Sequence, residues 1–260
     1  NPCCITGARY RRRNSSAADR GNGLSRHPWR MAAFGISGLA CPVCREHRAH
    51  LFASVGGRDY LRCATCDATF LHPDQLPSRG VERHEYGRHR NRPEDPAYRA
   101  FLAQLARPLL QRLAPARTGL DYGCGPGPAL AAMLEEAGHH VTLYDPFFHP
   151  DPRALEARYD FITCTEVAEH FHQPAREFAR LATMLKPGGL LAIQTCLQTN
   201  DARFARWNYR RDPTHVVFYR EASFLRIARR HDWIMEIPAP NVVFLTRELR
   251  SPPLIYDDGT

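Results

Sequence analysis

The chain has 260 residues and a formal net charge of +8, with 35 Lys and Arg against 27 Asp and Glu. That length allows one large α/β domain plus a small module. The composition, 43% hydrophobic and 24% charged, excludes a disordered polymer. No run of about 18 apolar residues occurs, which excludes a membrane-spanning helix. The charge is unevenly placed. Residues 1–30 hold seven arginines (Arg9, Arg11, Arg12, Arg13, Arg20, Arg26, Arg30) and one acid, Asp19. Residues 31–260 are left with +2. A basic balance points to nucleic acid, but here it rests mainly on that first stretch. The chain starts at Asn1 and its first methionine is Met31. Residues 1–30 lack apolar periodicity and the apolar core of a secretory signal. They read as a disordered tail or a non-native leader ahead of a start at Met31. Lys186 is the only lysine, an arginine bias that reflects coding composition more than function.

Next come two C-x-x-C pairs, Cys41-Pro-Val-Cys44 and Cys63-Ala-Thr-Cys66, with 18 residues between them. This is the spacing of a zinc site. Two residues between thiolates let one tight turn offer both sulfurs to one ion, and two such turns complete a tetrahedral shell. Leu51–Val55, Gly56-Gly57 and Tyr60–Arg62 between them predict a β-hairpin with a glycine turn. Residues 38–71 therefore read as a zinc ribbon, with Zn²⁺ on Cys41, Cys44, Cys63 and Cys66. Four thiolates leave no open position, so the metal is structural. Disulfides or redox dithiols are the alternative. His47 and His50 read as surface residues, and the remaining cysteines as reduced thiols of a cytoplasmic protein.

Residues 72–96 are polar and rich in Pro and Gly, and read as a linker or irregular loop. Tyr98, Phe101, Leu102, Leu105, Leu109, Leu110 and Leu113 then recur at helical spacing up to Pro115.

A short strand at Gly119–Tyr122 runs into Gly123-Cys124-Gly125-Pro126-Gly127-Pro128, and a helix follows. Glycines let backbone approach a ligand where a Cβ would collide, and the turn delivers that ligand to a helix N-terminus. A dinucleotide fingerprint would need a third glycine at position 128, where Pro128 stands. The pattern is Asp121-x-Gly123-x-Gly125-x-Gly127, which resembles the first motif of the class I S-adenosylmethionine-dependent methyltransferases.

Further segments resemble the same family in order. His140–Tyr144 reads as a second strand ending at Asp145, where the family places an acid on the ribose hydroxyls. Tyr159–Thr165, continued by Glu166-Val-Ala-Glu169-His170, resembles its fourth strand. Leu185–Thr195, after a helix at 176–185, resembles its fifth. Trp233–Ile237 and Asn241–Arg247 resemble the last two strands, an antiparallel edge, and residues 221–230 read as the helix before them. The resemblance covers roughly residues 98–246 and implies a Rossmann-like α/β domain over 97–249, with mostly parallel strands. It departs from the family between His149 and Arg158, which are too few for a third strand with its helices. The third-strand region is therefore expected to be shortened, and residues 250–260 read as a tail.

The resemblance implies S-adenosyl-L-methionine as cofactor, held by Asp121, Gly123, Gly125, Gly127, Asp145 and Thr165. Phe147 is a candidate face for the adenine, with Phe148 beside it. The donor's methyl is already electrophilic, so the protein must mainly align an acceptor and exclude water. His215 is the candidate general base, and Glu166 faces cofactor or acceptor. Glu169 and His170 read as pairing locally or capping a helix. Trp207 and Tyr209 are candidate walls for a flat acceptor, against a reading as core. The near-neutral body and the aromatic insertion at 207–219 favour a small-molecule acceptor at an O, N, S or C atom. The alternative is an RNA methyltransferase that uses the ribbon for recognition. A protein that binds the donor without turnover is the non-enzymatic reading.

Overall fold

The computed structural model describes residues 38–88 and 92–248. The readings of residues 1–30 and of the tail at 250–260 lie outside them. Among the described residues no helix is long and apolar enough to cross a membrane.

The chain opens with the turn at Cys41–Cys44, then the hairpin of β1 (Ala49–Val55) and β2 (Arg58–Cys63), and β3 (Thr69–Leu71). Gly56 and Gly57 both have positive φ, +61° and +76°. That is the signature of the two-residue turn whose twist matches a hairpin. Helices α1 (Arg79–Tyr86) and α2 (Pro96–Leu110) follow. Within the stretch 72–96, expected as a linker or irregular loop, residues 73–75 form a turn of 3₁₀ helix and 79–86 an α-helix. Ser78 caps α1 by accepting the Val81 N–H, and Asp95 caps α2 ahead of Pro96. A capping oxygen with proline at the first helical position stabilises a helix start that the polar composition conceals.

The main sheet is built by β4 (Thr118–Tyr122), β5 (His140–Tyr144), β6 (Tyr159–Thr165), β7 (Leu185–Gln194), β9 (Trp233–Ala239) and β10 (Val242–Arg247). Their order is β5-β4-β6-β7-β10-β9. The first four are parallel, and β10 runs antiparallel to β7 and β9. Among the described residues nothing pairs outside β5. Its connection to β6 holds only a turn of 3₁₀ helix at Pro152–Leu155, so the shortened third-strand region is present.

The sheet is buried on both faces, and alternation sorts its side chains. Phe161, Leu190, Ala192, Val242 and Phe244 pack with α2 and α3 (Ala129–Glu136). Ile162, Leu191, Ile193, Val243 and Leu245 point to the other side, toward α4 (Pro174–Met184) and α5 (Glu221–Arg230). The cysteine module belongs to that same core. Cys41, Cys63, Phe70 and Leu71 share one buried cluster with Phe178, Phe224 and Leu245.

The insertion after β7 explains the fusion. Its strand β8 (Val217–Phe218) pairs antiparallel with β3 and completes a second, four-stranded sheet in the order β1-β2-β3-β8. The ribbon hairpin therefore lies in one sheet with a segment about 150 positions further along the chain. Period-2 patterning within β1 and β2 carries no trace of that partner.

Candidate functional site

The carboxyl ends of β4, β5 and β6 open into a cavity of about 980 Å³. This is where ligands bind on open α/β sheets. Gly123 and Gly125 line it, both with positive φ, +79° and +65°. They do different work. A Cβ at Gly123 would lie 2.5 Å from the Val167 side chain, whereas one at Gly125 would meet nothing within 4 Å. Gly123 thus lets the turn pack on the loop after β6, and Gly125 leaves room for a ligand against bare backbone. Gly127 is buried beneath the turn and does not line the cavity.

Asp145 holds this turn in place. One carboxylate oxygen accepts the Gly125 N–H at 3.1 Å, and the other accepts Phe147 N–H at 2.8 Å and Phe148 N–H at 3.1 Å. Asp145 also lines the cavity, and a carboxylate has further lone pairs to offer. Asp121 lies behind the turn, almost wholly buried, and accepts the Thr163 hydroxyl at 2.8 Å. Burial, and then the charge of Asp145, push its carboxyl up to about 6, against the pull of Thr163.

Phe147, Phe148, Thr165 and Glu166 line the same cavity. Glu166 ends β6 with φ +53°, a costly conformation for a residue with a Cβ, while its N–H donates to the Gln194 carbonyl at 2.8 Å. Its positive φ ends the extended strand at the cavity edge.

The opposite wall contains residues that the sequence did not assign to the site. Tyr86 of α1 stands edge-on to Phe147 (5.5 Å between ring centres) and to His170 (5.2 Å). Arg79 lies over the Phe147 ring at 5.2 Å. Tyr98 and Phe101 of α2 also face the cavity. The cap at Ser78 was the only trace of α1, since a short polar helix has no long apolar period to detect, whereas α2 was legible from its apolar spacing but not as a wall of the cavity.

His215 lines the cavity although it is 7% exposed. Its Nδ1 donates to the Tyr209 carbonyl at 2.7 Å. Burial, then the neighbouring His170, hold its pKa down to about 4, with Glu169 and Asp212 pulling the other way. Glu169 and His170, read as pairing locally or capping a helix, bond to residues further along the chain. The Glu169 carboxylate is fully buried and accepts the Thr195 hydroxyl at 3.0 Å, while His170 Nδ1 donates to the Thr214 carbonyl at 3.0 Å. Trp207 and Tyr209 lie outside the cavity lining. Trp207 packs on Phe204 and Phe218, and the Tyr209 hydroxyl accepts the Cys196 N–H at 3.2 Å. Of the two readings open for this pair, the structure takes the core.

Outside the cavity lining, Cys41, Cys44, Cys63 and Cys66 converge, all buried, with sulfurs within 4.8 Å of one another. The Cys41–Cys66 and Cys44–Cys63 separations are 3.6 and 3.5 Å. A disulfide needs about 2.05 Å. A tetrahedral ion with bonds of about 2.3 Å holds sulfurs roughly 3.8 Å apart. The donor set fits such an ion and not a disulfide. His47 and His50 are exposed.

Residues 90–235, more than half of the chain, match the family described as "Methyltransferase domain". A ubiquinone biosynthesis O-methyltransferase from Serratia proteamaculans (strain 568) is 33% identical over 78 residues, which are 30% of this chain and 32% of that protein. The protein of the same name from Aeromonas salmonicida (strain A449) is 32% identical over 100 residues, 29% of this chain and 42% of its own. The chain thus spans less than half the length of these curated relatives. Among solved structures, 1,6-didemethyltoxoflavin-N1-methyltransferase from Burkholderia thailandensis, with bound 1,6-didemethyltoxoflavin and S-adenosylhomocysteine, is 18% identical with a TM-score of 0.49, covering 77% of this chain and 99% of that one. By its match over residues 90–235 and by its sheet, the chain belongs to the methyltransferase-domain family.

Proposed function

We propose that this protein transfers a methyl group from S-adenosyl-L-methionine to a small-molecule acceptor, by in-line displacement. The observation that carries this reading is the open backbone at Gly125, held by Asp145 on the rim of a cavity of about 980 Å³. A Cβ at Gly125 would project into free space, so the residues present fit a ligand pressed against the turn. Bound there, the donor supplies a methyl on a sulfonium that is already electrophilic. Asp145 orients the ribose through its remaining lone pairs, while Asp121, Gly123 and Gly127 shape the turn. Phe147 offers an aromatic face for the adenine, and Thr165 and Glu166 border the path toward the acceptor.

The acceptor lies between the turn and the wall of Tyr86, His170 and His215. Those rings exclude water and align the acceptor. That alignment is the main demand of the reaction. His215 turns its unprotonated Nε2 toward this space and receives the acceptor's proton or binds its polar atom. The ubiquinone O-methyltransferases named above support an oxygen acceptor.

The cysteine module at 38–71 holds one structural Zn²⁺ on Cys41, Cys44, Cys63 and Cys66. Its role is to stiffen the sheet that β8 joins, so it acts as one body with the domain at 97–249. RNA binding remains a distinct reading, which the following assay separates. Purified protein is incubated with radiolabelled S-adenosyl-L-methionine and, in separate reactions, with hydroxylated aromatic metabolites and with total RNA. Label in a small-molecule product is the expected result. Label confined to RNA would overturn the proposal.

A further inference from the structure

Arg79 of α1 and Arg176 and Arg180 of α4 line the same cavity. We propose that they bind an anionic group, a carboxylate or a phosphate, at the far end of the acceptor. The proposal rests on the methyl-transfer reading for the group that reacts. It adds the charge and the reach of the molecule that carries that group.

Three observations support an anion here. First, the acids on this wall are already engaged. Glu177 accepts the Tyr122 hydroxyl at 2.6 Å and the Arg180 guanidinium at 3.3 Å. Glu82 Oε1 lies 2.9 Å from His172 Nε2. Among the described residues, no carboxylate pairs with Arg79 or Arg176. Arg79 meets the Pro146 carbonyl at 3.4 Å and the face of Phe147. A guanidinium offers five N–H donors in a fork that matches a carboxylate or a phosphate.

Second, the cations converge. Burial raises the pKa of the Tyr144 hydroxyl, while Arg180 and Arg79 pull it back, so both guanidiniums stand near this one group. Arg176 and Arg180 lie four residues apart on α4 and share a helix face. Third, the shortened third-strand region leaves space there. β5 is the edge of the sheet, and its connection to β6 holds a single turn of 3₁₀ helix. The stacked rings of Tyr122 and Tyr144 (5.3 Å between centres, 27° between planes) therefore line the cavity. Its volume of about 980 Å³ is at the upper end of the roughly 300–1,000 Å³ usual for small-molecule sites, which suits a site that holds two ligands.

Helix α1 sets the distance. Arg79, Glu82 and Tyr86 stand at i, i+3 and i+7, and all three line the cavity. Tyr86 is edge-on to His170, whose ring centre is 4.7 Å from that of His215. At about 1.5 Å per residue, Arg79 lies roughly 10 Å from Tyr86 along the axis. An acceptor with its reacting hydroxyl at His215 and its anion at Arg79 spans about that length. The chemical class is an extended hydroxylated molecule with an acid at the opposite end.

The test is calorimetric binding of p-hydroxycinnamate and of tyrosol phosphate, each compared with its neutral counterpart, p-hydroxycinnamamide and tyrosol. S-adenosyl-L-methionine is titrated in parallel. The expected result is that at least one anion binds wild type roughly tenfold more tightly than its neutral counterpart. The anion with the larger preference identifies the group. Arg79→Gln and Arg176→Gln should each abolish most of that preference, Arg176→Lys should keep more of it, and Arg176→Gln should leave donor affinity unchanged. Both side chains are exposed, so the variants should fold, which circular dichroism checks. No preference for either anion, or a preference that a folded glutamine variant leaves intact, would overturn the site. Anion preference without donor binding in wild type would instead sink the methyl-transfer reading and leave the anion site standing.

Discussion

The Ser223 hydroxyl of α5 donates to the Cys66 carbonyl at 2.8 Å, and both residues are buried. A side chain from the methyltransferase domain thus holds the backbone of the second cysteine turn. Ala175 at the start of α4 does the same for the first, its N–H donating to the Pro42 carbonyl at 3.0 Å. The cysteine turns and the domain are parts of one structure.

Removing metal should therefore act on the whole molecule. Chelation, or Cys41→Ser, should lower the melting temperature in a single transition and reduce donor binding with it, because a structural zinc site contributes folding free energy directly. Calorimetric melts with and without chelator, followed by zinc add-back, measure this. Two separate transitions, with the second unmoved, would refute the shared core.

Donor affinity should collapse on changing the glycine turn. Asp145→Ala removes a charged acceptor from three backbone N–H groups. At about 1.5–3 kcal/mol for a single hydrogen bond to a charged group, affinity should fall at least tenfold. Gly125→Arg adds a side chain at φ +65° and fills the space the donor needs. Isothermal titration with S-adenosyl-L-methionine reads both, and unchanged affinity in either would sink the cofactor assignment.

Asp121 gives the stability a pH dependence of definite sign. Burial raises its folded pKa from 3.8 to about 6. A raised carboxyl binds more protons in the folded state, so stability is greatest below the unfolded value and falls as pH climbs through that window. The whole change is about 3 kcal/mol at ~1.4 per unit. Asp121→Asn should escape it. Relative to wild type, the variant should gain stability between roughly pH 4 and pH 6 and hold that gain above. Urea unfolding of both proteins at several pH values supplies the difference, and a pH-independent difference would contradict the reading.

Tyr209→Phe should separate core from acceptor wall. The substitution removes the hydroxyl that meets Thr195 at 3.0 Å and accepts the Cys196 N–H. The cost should be about 1–3 kcal/mol, since a buried donor is left unmade. Acceptor KM should not move, because the ring lies outside the cavity lining. A raised KM at unchanged stability would restore Tyr209 as a contact of the acceptor.

Local chemistry was legible in the sequence. The C-x-x-C pairs, the glycine turn at 123–127 and the acid at Asp145 each depend on residues a few positions apart, and backbone geometry ties such spacing to one arrangement. The parallel strands announced themselves as short apolar runs, because both sheet faces are buried. Long-range pairing was not legible. Nothing in Val217–Phe218 signals that they join β3 and draw the cysteine module into the main core. The polar segment at 79–86 hid a helix that walls the cavity, since its few contacts lie across the cavity and not along its own axis. Glu169, His170 and His215 come together only because two loops after different strands fold onto the same end of the sheet. Sequence determined the family and the glycine turn. Tertiary packing decided which side chains line the cavity, because that depends on distances between segments that local periodicity does not encode.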